Sequence, residues 1–169
     1  MFVVGPIILL IIVLILAISV SWTNLVGAPW VPTSMGVVHK MLKMAEVGPD
    51  DILYDLGCGD GRTIIAAARR YGARAVGIEI DPLRYVWCQL VITLFGLRRR
   101  VKILYGNFFN HDLSEATVVT CYLLPETNSD LEEKLKGELR FGVRVVSNTF
   151  SFPGLQPVSQ DGDARLYTI

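Results

Sequence analysis

Asp55-Leu56-Gly57-Cys58-Gly59-Asp60-Gly61 is the stretch that decides the fold. It closes a short apolar run beginning at Ile52. It is followed by Arg62 to Tyr71, where Ile64, Ile65 and Ala68 recur at helical spacing. A glycine-rich turn between strand and helix lets the backbone approach a ligand at the helix N-terminus. The spacing narrows the ligand. A dinucleotide fingerprint needs G-x-G-x-x-G, but the sixth position counted from Gly57 is Arg62. A phosphate-binding P-loop needs Gly-Lys-Ser/Thr, which does not follow.

Outward from this turn, strand and helix patterns alternate. Upstream, Thr33 or Ser34 caps a helix carrying Val37, Val38, Met41, Leu42 and Ala45 on one face, and a turn at residues 48–51 follows. Downstream, strands are predicted at 75–80, 101–105, 117–122 and 143–147, with a last one at 166–169 after a turn at 161–163. Asp81-Pro82 supplies a cap and a first-turn proline for a helix to about Phe95. A polar helix is predicted from about Ser129 to Leu139. Alternation with short links predicts a mostly parallel sheet with helices on both faces, and a ligand site at the carboxyl ends of its strands.

Two carboxylates define what that site takes. Asp55 at the mouth of the turn repels a pyrophosphate but suits a cation such as an amino group. Glu79 ends the second strand twenty residues after Gly59, where a carboxylate accepts both hydroxyls of a ribose. A ligand with a ribose, a cationic amino-acid end and no phosphate is S-adenosylmethionine, the expected cofactor.

At these residues the chain resembles the class I, seven-β-strand methyltransferases. Asp55 to Gly61 matches their first motif, Val76-Gly77-Ile78-Glu79 their second, and Gly106-Asn107-Phe108 the segment after the third strand. The resemblance covers about residues 33–169 and implies a Rossmann-like, mostly parallel seven-stranded sheet. A narrower resemblance lies in Val31-Pro32-Thr33, in the run Asp112 to Pro125 and in Arg144-Val145-Val146-Ser147-Asn148. These are similar to a small protein-lysine methyltransferase family whose members modify the adenine nucleotide translocase and the ATP synthase c-subunit, both membrane proteins. The resemblance implies that Asp55, Gly57 and Gly59 hold the methionine end and Glu79 the ribose. It implies that Asn107 meets the adenine amino group, Ile80 and Phe108 flank the adenine ring, and Thr33 reaches the carboxylate. It places Tyr122, Glu126 and Asn148 on the catalytic rim. A bland reading stands beside each: Asp55 and Asn107 as turn residues, Tyr122 as strand packing, Glu126 as an acid at a helix start.

Relatives that methylate bases or glutamine often carry Asn-Pro-Pro-Tyr where this chain has Tyr122-Leu123-Leu124-Pro125. A nucleic-acid partner is therefore not expected, and a protein lysine side chain is. The alternatives are a small-molecule, lipid or quinone methyltransferase, and a module that binds the cofactor without turnover.

Composition adds the rest. Lys plus Arg number 16 and Asp plus Glu 16, and none of these occurs before Lys40. All 32 charges thus fall in the last 130 residues, about a quarter of them, the ordinary level for a globular domain. Zero net charge argues against a general polyanion binder. Cys58, Cys88 and Cys121 are too widely spaced for a disulfide framework or a zinc site, so no metal is expected. From Phe2 to Val20 there is no charge, a length that spans a bilayer as a helix, and Trp22 and Trp30 suit its interface. The chain is therefore expected to divide into a transmembrane anchor (1–22), a link (23–32) and the domain (33–169). Residues 2–20 are expected in the lipid bilayer. Lys40 and Lys43 follow the anchor and no cation precedes it, so a single-pass topology puts the catalytic domain in the cytoplasm.

Overall fold

The structure is a computed structural model that describes residues 5–10, 13–14 and 31–169. It falls into two compact units, Met1–Val31 and Pro32–Ile169. In the first, residues 5–10 and 13–14 are helical and exposed. The rest of the expected anchor, and the link up to residue 30, lie outside the described residues. No helix among the described residues is long and apolar enough to cross a membrane.

The second unit runs α1 (Met35–Met44), β1 (Ile52–Leu56), α2 (Arg62–Arg70), β2 (Arg74–Glu79), α3 (Pro82–Leu94) and β3 (Val101–Tyr105). After a 3-10 turn (Phe108–Asn110) come β4 (Val118–Cys121), α4 (Pro125–Glu138), β5 (Arg144–Asn148), β6 (Ser159–Asp161) and β7 (Ala164–Thr168). The seven strands form one sheet in the order β3-β2-β1-β4-β5-β7-β6. β1 to β5 pair in parallel, while β7 is antiparallel to both β5 and β6. The α/β class and the mostly parallel seven-stranded sheet agree with expectation. The strand order reverses direction at β1, between β2 and β4, so the crevice for a ligand opens there.

Both faces of the sheet are covered, and the side-chain period of two sorts the core. Leu53 of β1, Ala75 of β2 and Val146 of β5 point to α1, α2 and α3, against Val38, Leu42, Ile64, Ala67 and Ile92. Tyr54, Leu56, Val119 and Val145 point the other way, to Leu131, Leu135 and Leu139 at and after α4. On α2 the buried face is Thr63, Ile64 and Ala66 to Ala68. The expected Ile65 is only half-buried.

The local signals explain the helix starts. Ser34 caps α1 through Val37 N at 3.4 Å, and Asp81 caps α3 through Leu83 N at 2.8 Å and Arg84 N at 3.0 Å. α4 begins four residues earlier than expected, at Pro125 instead of Ser129. Its N-cap, Leu124, has no side-chain acceptor, so capping chemistry could not announce it; the signal present and not used is the proline at the first position. β6 carried no strand signal either. Its Ser159-Gln160-Asp161 is polar and fully exposed, and it exists because β7 offers it a ladder.

Gly77 sits where α2 crosses β2. A Cβ there would lie 2.6 Å from Cys58 Sγ, 2.8 Å from Ile64 Cδ1 and 2.9 Å from Ile103 Cδ1. Gly77→Ala should therefore overpack this crossing and cost about 1–3 kcal/mol. Urea denaturation of the chain would read the loss, and an unchanged midpoint would mean the crossing has slack.

Candidate active site

The parallel register lines up one rim. Ile78, Leu56, Cys121 and Ser147 are aligned across β2, β1, β4 and β5. The next residue of each strand therefore forms the edge row: Glu79, Gly57, Tyr122 and Asn148. Expected cofactor residues and expected catalytic residues thus share the carboxyl end of the sheet, although they are spread over some 90 positions of sequence.

The loop after β1 is built from backbone. Gly57 N and Cys58 N both donate to Ile78 O, at 3.0 and 3.1 Å. Gly57, Gly59 and Gly61 have φ of 75°, 59° and 81°, a region that penalises any Cβ. Leu123, just beyond β4, reaches across with its Cδ2 3.5 Å from where a Cβ on Gly57 would lie. Cys58 is a small buried loop residue, and Cys88 donates from Sγ to Gly59 O at 3.2 Å. The neighbouring Cys88 and burial push the Cys58 thiol well above its usual range, so it is no nucleophile.

Asp55 is 7% exposed. Its Oδ1 accepts from Thr120 Oγ1 at 2.7 Å. Burial pushes its pKa up to about 6, against the opposing hydroxyls of Thr120 and Thr63, and nearby Glu79 adds to the rise. Glu79 is raised too, mainly by burial. Its Oε2 accepts from Gly59 N at 2.7 Å and its Oε1 from Asp81 N at 2.8 Å. Each oxygen keeps a second lone pair for a hydroxyl donor. Neither carboxylate takes part in a salt bridge with a described residue. Two buried acids, each raised and neither in an ion pair, form a site that a cation relieves.

These residues fit S-adenosylmethionine. A cationic amino group would meet Asp55, hydroxyls would meet Glu79, and the glycine loop leaves the backbone open between them.

The flanking residues divide. Ile80, half-buried, follows Glu79, and Phe108 is half-buried with its ring 4.8 Å from Phe109. Asn107 is exposed, and its Oδ1 accepts from Phe109 N at 3.0 Å, capping the 3-10 turn. The oxygen assigned to adenine is thus already engaged once. Thr33 is half-buried, and its carbonyl accepts from Arg62 Nη1 at 2.6 Å. Burial alone would raise Asp60, but Arg62, bonded to it through Nε at 2.9 Å, holds it below its ordinary value. The Asp60–Arg62–Thr33 chain ties the start of α1 to the glycine loop. Sequence reasoning missed Arg62, since it registered only as a broken fingerprint.

On the substrate side, the Tyr122 and Phe150 rings stack with centroids 6.4 Å apart and planes at 27°. Asn148 is 6% exposed, and its side-chain amide makes no hydrogen bond to any described residue. Thr149 follows at φ 67°, a strained conformation for a β-branched residue. It is held by Asp163 O, which accepts from Thr149 N at 2.8 Å, and by Arg165 Nη1, which donates to Thr149 O at 2.5 Å. Asn128 braces the same turn from α4, donating to Phe150 O at 3.1 Å and Ser147 Oγ at 3.3 Å. Its pairing with β5 has no sequence signal, since it rests on how α4 docks. Glu126 is exposed in the first turn of α4. A separate groove of about 380 Å³ between α1 and α2 is lined by Met35, His39 and Arg62 among others, and includes neither Asp55 nor Glu79.

This fold and this rim define an S-adenosylmethionine-dependent methyltransferase. Residues 55–159 match the model of the ANTKMT methyltransferase domain, and the chain belongs to that family. It is 49% identical over 130 residues to a protein-lysine N-methyltransferase of Saccharolobus islandicus, covering 76% of this chain and 81% of the relative. It is 34% identical over 136 residues to the adenine nucleotide translocase lysine N-methyltransferase of Mus musculus, covering 80% of this chain but 58% of that protein. Among solved structures, an RNA methyltransferase from Salinibacter ruber in complex with S-adenosyl-L-homocysteine superposes with a TM-score of 0.78. It is 45% identical and covers 82% of this chain and 94% of its own.

The raised Asp55 has a measurable signature. Its folded pKa lies above the unfolded value, so its contribution to stability is fully present below about pH 4 and is lost as pH rises through about 6. The cofactor-free domain should weaken by about 3 kcal/mol across that window. Asp55→Asn should flatten most of the slope in denaturation curves taken between pH 4 and 7. A wild-type slope retained by Asp55→Asn would assign it to other groups.

Proposed function

We propose that the chain methylates protein lysine side chains, with Asp55, Gly57, Gly59 and Glu79 holding the cofactor and Tyr122 and Asn148 receiving the amine. The observation that carries the reading is the edge row, which sets beside the cofactor loop the Asn148 amide, without a hydrogen-bond partner among the described residues, and Tyr122, whose ring stacks on Phe150. Bound S-adenosylmethionine supplies an electrophilic methyl group on a sulfonium. The protein then has to deliver a neutral amine in line with it. A lysine side chain is a slender apolar stem with a cationic tip. Tyr122 and Phe150 would flank the stem, and the Asn148 carbonyl oxygen would accept from the nitrogen. Desolvation in that slot lowers the amine pKa, so the proton leaves to water at the open rim before transfer. Glu126 on the exposed first turn of α4 would draw the ammonium in.

Thr33, Ile80, Asn107 and Phe108 complete the cofactor side in this reading. Phe108 and Ile80 flank the adenine, Asn107 offers the remaining lone pair of its oxygen, and Thr33, moored by Arg62, lies toward the carboxylate.

The name of the Saccharolobus relative supports a lysine substrate, and that of the Salinibacter neighbour supports RNA as the second reading. The rim favours the first. A phosphate backbone would meet Glu126 there, whereas Arg98, Arg99 and Arg100 follow α3 at the opposite edge of the sheet. Residues 2–20, without a charge, would anchor the enzyme in a bilayer with the domain on the cytoplasmic side, beside membrane-protein substrates.

Incubating the chain with methyl-labelled cofactor and a membrane extract should yield label that survives as methyl-lysine after acid hydrolysis. Label confined to RNA or to extracted lipid would overturn the lysine reading. Asn148→Ala should lower kcat by about 10- to 100-fold with cofactor Kd unchanged, if it orients the amine. Tyr122→Phe should leave cofactor affinity intact as well. Loss of cofactor binding in either variant would move that residue to the other side of the site.

A further inference from the structure

α3 is apolar on the wrong side. Its core-facing residues are Cys88 and Ile92, which are fully buried. Leu83, Val86, Trp87, Leu90 and Leu94 stand opposite and are exposed, Trp87 at 52% and Leu94 at 73%. At 100° per residue these five fall within a single stripe about 100° wide, the width that normally faces a core. Phe95 extends it. Of the ten exposed large hydrophobic residues between Pro32 and Ile169, six lie between Leu83 and Phe95. Arg69 of α2 lies over the Phe95 ring, 4.7 Å from its centroid, and no described element covers the other five.

Charge says what does. The thirty residues 82–111 contain no Asp or Glu but carry Arg84, Arg98, Arg99, Arg100 and Lys102. The last four lie in the turn and strand directly after the helix, all exposed. Arg84 is engaged with Asp81, Arg100 donates to Gly72 O and Arg98 Nε donates to Thr93 Oγ1 at 2.8 Å; Arg98, Arg99 and Lys102 are exposed and none of them forms a salt bridge with a described residue. A helix with an unpartnered apolar stripe, an interfacial tryptophan in its middle and a basic cluster at one end has the build of a segment lying in a lipid headgroup layer. A second copy fits less well, because a two-fold contact would set two acid-free basic clusters against one patch.

We propose that α3, with Arg98, Arg99 and Lys102, docks the domain on an anionic bilayer surface. The apolar stripe enters the acyl boundary, and the cations meet phosphate headgroups. This docking adds an orientation: the helix starts directly after Glu79, so the cofactor rim is carried at the level of the headgroups.

The test uses the full chain with vesicles whose acyl chains are brominated, in pure phosphatidylcholine and in an equal mixture with phosphatidylglycerol. The signal is the tryptophan emission lost on Trp87→Phe, which isolates Trp87 from Trp22 and Trp30. Quenching of that component in the anionic vesicles, reversed by salt and weaker in phosphatidylcholine, is expected. Arg98→Ala with Arg99→Ala should weaken docking roughly 25-fold, about fivefold per charge. Leu90→Glu, at an exposed position, should abolish the quenching while the denaturation midpoint is kept. Vesicles that hold the chain but leave Trp87 unquenched would overturn the docking surface alone. A chain that binds no vesicle would overturn both this surface and the anchor. A Trp87 shielded without vesicles would give the stripe to another occupant: a second copy if the shielding depends on concentration, residues 1–31 if it does not.

Discussion

Two carboxylates held out of water, neither in a salt bridge with a described residue, set the terms for this fold. Asp55 and Glu79 sit on adjacent parallel strands, each buried and each raised, with hydroxyl donors on Asp55, backbone amide donors on Glu79 and the charge of Arg84 offsetting part of the rise at Glu79. Burial of unpaired acids opposes folding, and the surrounding sheet has to supply the difference. It does so through the close approach of α2 to β2 at Gly77 and through the backbone bonds that lock the glycine loop onto Ile78. The packed face of the protein is thus arranged to sustain a local instability at its rim, where a cationic nucleoside relieves it.

The rim owes its accuracy to register. Parallel pairing slides no residue relative to its neighbour, so four strand ends arrive in one row. Chemistry spread between Gly57 and Asn148 becomes contiguous. The strained turn at Thr149 then folds Phe150 back toward Tyr122, and Asn128 pins that turn from α4. Helix, turn and strand end are braced together on the side where substrate would enter.

Much of this could be read in the chain before any coordinates. Asp55, the glycine spacing and Glu79 are separated by fixed lengths of strand and turn, so their convergence follows from local geometry. β1 to β5 and three of the helix starts carried period or capping signals of their own. What stayed hidden depends on distant pairing. Thr120 supports Asp55 only because β4 lies beside β1 in that alignment, and Asn128 meets Phe150 only because α4 folds against β5. β6 is polar and formed by its neighbour. Arg62 looked like a missing glycine, while its guanidinium moors Thr33 over the loop. The outward stripe of α3 was hidden for another reason: apolar residues lie all round this helix, and only the burial of Cys88 and Ile92 shows which face the sheet takes.

The two margins of the sheet differ from its centre. One border is β6, three residues long and wholly polar, with Asp161 tied to Lys40 at 2.8 Å. The other is β3, where Lys102 stands outward. Short, charged borders give a foreign strand little to zip onto. Monomers that crowd together are thereby denied the edge-to-edge templating by which open sheets grow into fibrils.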